Sequence, residues 1–165
     1  MKNFIYLSII IAVILFGSCV SLNNQQRNAG NYPFKTECLG TEMDGSITVK
    51  AWGNGRNRID AIDQAKKNAV NDMLFKGILD GSSECNSKPL VPEVNAREKY
   101  EDFFNAFFAD KGGQYKSFIS MQDERLDVTA DGKKFDNKSG VTYSCIVRIK
   151  RSELKQYLIQ KGILK

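Results

Sequence analysis

Apolar and polar residues alternate strictly over 46–52. Ile47, Val49 and Ala51 fall on one side, and Ser46, Thr48, Lys50 and Trp52 on the other. That period of two predicts a half-buried strand. Gly53-Asn54-Gly55 predicts a turn after it, because glycine and asparagine accept left-handed backbone at little cost. The period then changes, and a helix is predicted over 57–79. Asn57 caps it, and Asp60 stands three residues on in the reciprocal position. Ala61, Ile62, Ala65, Ala69, Val70, Met73 and Leu74 share one face, with Lys66, Lys67, Asn71 and Asp72 towards solvent. Ala61, Ala65 and Ala69 form a ridge of small side chains that lets a helix lie close to a sheet. Gly77 and Gly81 mark its end.

Residues 81–95, with Gly, Ser, Asn and two prolines, read as an ordered loop with a short turn of helix. A second amphipathic helix is predicted over 96–109. Its Tyr100, Phe103, Phe104, Phe107 and Phe108 form a stripe that belongs in a core, with an exposed patch for an apolar ligand or a partner as the alternative. Gly112-Gly113 ends it. Two strands follow, over 115–130 with an interruption near Gln122-Asp123-Glu124, and over 141–150, joined by a polar loop between Asp131-Gly132 and Ser139-Gly140. Val141, Tyr143, Cys145, Val147 and Ile149 share one face of the later strand. A last helix over 151–161 presents Leu154, Tyr157 and Leu158 and stops at Gly162. The expected fold is α+β: helices packed on one small, largely antiparallel sheet of three or four strands, in the order β-α-α-β-β-α.

The N-terminus follows a different pattern. Lys2 precedes an apolar run from Phe4 to Phe16, broken only by Ser8. At about 13 residues it is short for a membrane span and of the right length for a secretory signal. Leu15-Phe16-Gly17-Ser18-Cys19 resembles the lipobox of bacterial lipoproteins, with Phe16 where Leu or Ala is usual. Relaxed lipoboxes of this kind resemble those of Bacteroidetes. The resemblance implies cleavage before Cys19, a diacylglycerol on its thiol, and two or three acyl chains that hold the protein on a membrane. Residues 1–18 are then a signal peptide, 19–37 a polar tether and 38–165 a single domain. The stretch after Cys19 lacks the early acidic cluster of surface-exported lipoproteins, so the resemblance implies a lipid-anchored outer-membrane protein facing the periplasm.

The 165 residues suffice for one domain of ordinary size, and 42% hydrophobic with 26% charged residues excludes wholesale disorder. The formal charge of +5 becomes +4 without Lys2, 23 basic residues against 19 acidic. The basic residues are dispersed, so no nucleic-acid partner is expected. Three cysteines remain after Cys19, allowing one bridge and one free thiol in an oxidising compartment. A helix leaving the strand at Gly53 runs back beside it. That brings Cys85, after the helix, towards Cys38, before the strand. A Cys38–Cys85 disulfide is the favoured pairing, with Cys38–Cys145 as the alternative; Cys145 reads as a small buried hydrophobe.

Histidine is absent, which excludes Ser-His-Asp and Cys-His catalysis and every His-ligated metal. Gly53-x-Gly55 lacks a third glycine at Arg58 and matches no phosphate-loop pattern, although Arg56 and Arg58 at a helix start can hold an anion. Glu101-Asp102 and Asp123-Glu124 are sequence neighbours that point apart, so neither makes a two-carboxylate site. Asp127, Asp131 and Asp136 miss the calcium-loop spacing. No catalytic residue, metal or cofactor is expected, and Trp52, Arg56 and Arg58 are the candidate interaction residues.

The segment from Ile47 to Val70, a strand ending in Trp52-Gly53-Asn54-Gly55 and a helix with alanines at 61, 65 and 69, resembles a group of bacterial envelope domains. The group includes small Helicobacter-type outer-membrane lipoproteins and the N-terminal domain of the flagellar assembly T protein. It implies an α+β fold with a helix on a small sheet and a structural role. The expected function is a non-catalytic membrane-anchored lipoprotein, an accessory or assembly component of an envelope complex with a protein partner. The alternative is a periplasmic module binding an apolar or anionic small molecule.

Overall fold

A computed structural model describes residues 35–85, 87–125 and 140–165. They lie within one compact unit, Pro33–Lys165. The expected signal peptide, Cys19, most of the expected tether and the segment carrying Asp127, Asp131 and Asp136 lie outside the described residues.

The chain is α+β. Among the described residues it forms one mixed five-stranded sheet and four helices, where the pattern predicted three or four strands. Strand β1 (Glu37–Thr41) pairs antiparallel with β2 (Ile47–Gly55), and β3 (Asp80–Gly81) pairs parallel with β1. Strand β5 (Val141–Ile149) runs antiparallel along the other side of β2, and β4 (Ile119–Arg125) antiparallel beside β5. The spatial order is therefore β3-β1-β2-β5-β4. Both strands missed by the pattern are weak signals. In β1 only Cys38 is fully buried and the ladder slips between Cys38 and Gly40; β3 is two residues long, with both exposed. Glu37, assigned to the tether, belongs to β1. Beside it, Thr36 is buried and its hydroxyl donates to Asp72 Oδ2 at 2.5 Å.

Helix α1 (Arg58–Phe75) starts on the expected cap: the Asp60 amide donates to Asn57 Oδ1 at 3.0 Å. It ends four residues before the predicted limit. Gly77, at φ 78°, turns the chain, and its amide returns to the Asp72 carbonyl at 2.8 Å. The predicted helix over 96–109 is two pieces, α2 (Ala96–Lys99) and α3 (Glu101–Phe107), because Tyr100 leaves helical geometry at φ −118°, ψ 38°. Residues Gln114–Phe118 form a 3₁₀ turn where a strand was expected, and they place Tyr115 and Phe118 in the core. Helix α4 (Arg151–Gln160) follows β5, close to its predicted span.

Gly53-Asn54-Gly55 is a further correction: it continues β2 instead of turning, opposite Tyr143, Thr142 and Val141 of β5. The glycines serve packing. A Cβ on Gly53 would lie 2.3 Å from both the Ala61 carbonyl oxygen and the Ala65 amide nitrogen, and one on Gly55 2.3 Å from the Ala61 amide nitrogen. With Ala61, Ala65 and Ala69 fully buried, α1 therefore lies on β2 almost backbone to backbone. Asn68 fastens the contact, donating from Nδ2 to the Trp52 carbonyl at 2.8 Å. Ile47, Val49 and Ala51 meet Ile149, Val147 and Cys145 in register, and all six are buried in a single core. Phe104 and Phe107 of α3 and Leu154 and Leu158 of α4 join that core.

Candidate functional site

Cys38 and Cys85 form a disulfide, with Cα atoms 5.9 Å apart and both residues buried. It ties β1 to the 3₁₀ turn Ser83–Cys85 across 47 positions. Cys145 takes no part in that bridge and has no exposed surface, on the core face of β5 opposite Ala51.

The three candidate interaction residues do not gather. Trp52 lies on the sheet face away from α1, half-buried, with the Lys50 ammonium 5.2 Å from its ring centroid. Arg56 faces α1, and its Nε donates to Asp60 Oδ2 at 2.7 Å. Arg58 opens α1, with its guanidinium carbon 5.6 Å from the Tyr143 ring centroid. Tyr143 stands opposite Gly53, on the α1 side. The sheet thus separates Trp52 from both arginines. Strand alternation reveals the split, because Trp52 is out of phase with Val49 and Ala51.

Arg56 instead borders a cleft of about 390 Å³ that the sequence did not disclose. Three cations, Arg56, Lys67 and Lys116, alternate there with Asp60, Asp63 and Asp110. Lys67 Nζ lies 2.5 Å from Asp110 Oδ1, and Lys116 Nζ lies 4.0 Å from Asp63 Oδ2. Tyr115 forms the buried floor, with both lysine ammoniums 5.8 Å from its ring centroid. The Lys67 ammonium, by hydrogen bond and by charge, holds the Asp110 carboxyl below the usual carboxylate range. Burial, with the charges of Asp63 and Asp110, pushes the Tyr115 phenol up to about 12. An ionised carboxylate and a neutral phenol are poor proton donors and acceptors at neutral pH, so the pair is suited to binding more than to acid–base catalysis. The cleft joins side chains 43 positions apart, so no local spacing could announce it.

The aromatic stripe divides in two. Phe104 and Phe107 are core; Phe104 meets Phe75 and Phe103 edge to face at 4.9 and 5.1 Å. Phe103, half-buried, lies 6.1 Å from Tyr157 and with it walls a shallow groove of about 280 Å³ that Lys161 also lines. The Tyr157 hydroxyl donates to Gln114 Oε1 there. Among the described residues, no group of three or more acidic or cysteine side chains is placed to hold a metal ion. No described helix is long and apolar enough to cross a membrane.

Comparison of the chain with protein-family models, with curated proteins and with solved structures returns no match.

Proposed function

We propose that this chain is an exported lipoprotein, anchored through Cys19, whose α+β domain is a non-catalytic accessory or assembly component of a bacterial envelope complex. The carrying observation is the buried Cys38–Cys85 disulfide. A core bridge of this kind belongs to an oxidising compartment, the destination that the apolar run and Cys19 imply. The lipobox and the envelope-domain resemblance supply the anchor and the structural role. The packing supports that resemblance on its own residues, since Gly53, Gly55 and the alanine ridge are what allow α1 to lie so close to β2.

The test has two parts. An alkyne-tagged fatty acid fed to the source cell labels the native chain but not Cys19→Ala, and the labelled protein sediments with outer membranes. Crosslinking in those cells then yields one reproducible envelope protein, whose yield drops in Trp52→Ala or Arg58→Ala. An unlabelled native chain overturns the anchor. Absence of any crosslinked protein overturns the assembly role.

The groove favours a second reading, the small-molecule module. Its Phe103, Phe107 and Tyr157 walls and the Lys161 ammonium suit an apolar ligand with an anionic end. Phe103→Ala abolishing uptake of a fluorescent fatty acid supports that reading; binding that survives the change removes it.

A further inference from the structure

The cleft beside α1 has a volume within the range of small-molecule sites. Its ion pairs are unequal. The Lys67 side chain is only 18% exposed, laid against the Tyr115 ring, whereas its partner Asp110 is 92% exposed on the turn after α3. A largely enclosed ammonium needs an anion, because leaving it unpaired costs far more than pairing it gains. Tyr115 cannot be that anion, since its phenol stays neutral through the physiological range. An exposed carboxylate can leave at small cost, because exposed ion pairs contribute little. Asp110 is therefore an exchangeable occupant. Nearby, the Asp63 carboxylate stands 3.8 Å from Lys66 and 4.0 Å from Lys116, both long contacts, so it is open to a closer cation.

We propose that Lys67 is the carboxylate-binding point of a site for small zwitterions, short peptides or amino acids, which Asp110 fills until a ligand carboxylate displaces it. The ligand's ammonium then pairs with Asp63, and its backbone spans the cleft between the two. Every ion pair broken is replaced by another, and no net charge is buried. The site is independent of the lipid anchor and of any protein partner.

Glycylglycine is the probe, titrated into the full-length chain in detergent and followed by amide chemical shifts. N-acetylglycine carries the carboxylate alone and glycinamide the ammonium alone. Glycylglycine should give saturable shifts around Lys67, Asp110 and Tyr115, and bind more tightly than either single-charge probe. The two partners should respond in opposite directions. Asp110→Asn removes the competing carboxylate and should tighten glycylglycine binding roughly twofold to fivefold, the worth of an exposed pair. Lys67→Met should abolish binding. Both variants are first confirmed to be folded by circular dichroism, and the Asp110→Asn result stands alone if Lys67→Met is unfolded. Asp110→Asn binding that is weaker or unchanged overturns the displacement. N-acetylglycine binding as well as glycylglycine overturns the assignment of Asp63. Absence of saturable shifts in both the native chain and Asp110→Asn overturns the site.

Discussion

Replacing Gly53 by alanine adds one methyl group at the closest approach of α1 to the sheet. The new carbon would stand 2.3 Å from the Ala61 oxygen and the Ala65 nitrogen, where ordinary contact begins near 3.4 Å. Both atoms are helix backbone, so no side-chain rotation relieves the clash, and α1 must lift by about 1 Å. Overpacking of that kind costs about 1–3 kcal/mol. Lifting also stretches the 2.8 Å bond from Asn68 to the Trp52 carbonyl, for about 1 kcal/mol more. Alanine returns about 0.4–1 kcal/mol by restricting the unfolded chain, since Gly53 is not in the left-handed region. The expected net loss is about 2–3 kcal/mol, a drop in Tm of roughly 6–12 °C for a domain of this size. Gly40→Ala is the control: the same substitution in the same sheet, with nothing within 4 Å of the added carbon. It should shift stability by no more than about 0.5 kcal/mol. Urea unfolding followed by circular dichroism measures both. A Gly53→Ala protein as stable as Gly40→Ala would refute the claim that the glycine motif exists for helix packing.

Three further outcomes are expected. Replacing Cys38 and Cys85 together by serine opens a loop across 47 positions and should cost about 4 kcal/mol on the chain-entropy account; in the native protein, a thiol reagent should modify Cys145 only under denaturing conditions, and rapid labelling would contradict its burial. Phe104→Ala should cost about 3–5 kcal/mol and Phe104→Asp should prevent folding, whereas Phe103→Ala, at the rim of the groove, should cost distinctly less; equal losses would mean that the stripe is not divided. Tyr115 ionises at about 12 when folded against 10.0 unfolded, so its contribution is fully present below pH 10 and is lost as pH rises towards 12. Thermal melts should therefore fall more steeply above pH 10 for the native chain than for Tyr115→Phe, and parallel curves would contradict the shift.

What the sequence alone determined was carried by short-range periodicity. The alternation around Val49 located the central strand, the Ala61-Ala65-Ala69 ridge located α1 and its buried face, and Leu154 with Leu158 located α4. The path of strand and helix was enough to favour Cys38 with Cys85, because a helix lying back along its strand leaves few places for the two ends. Tertiary structure decided the features that depend on distant neighbours. Strand β1 exists because β2 offers it an edge, and β3 because β1 does; neither has enough buried side chains to announce itself. The Gly53-Asn54-Gly55 segment reads as a turn from local preference, yet pairing with Val141–Tyr143 and the closeness of α1 hold it in the sheet. The aromatic helix breaks at Tyr100, and residues 114–118 curl inward, placing Phe104, Phe107, Tyr115 and Phe118 in one core. The cleft is the extreme case. Lys67 reads as a solvent-facing lysine on its own helix and becomes an enclosed cation only when the turn carrying Asp110 and Tyr115 closes over it.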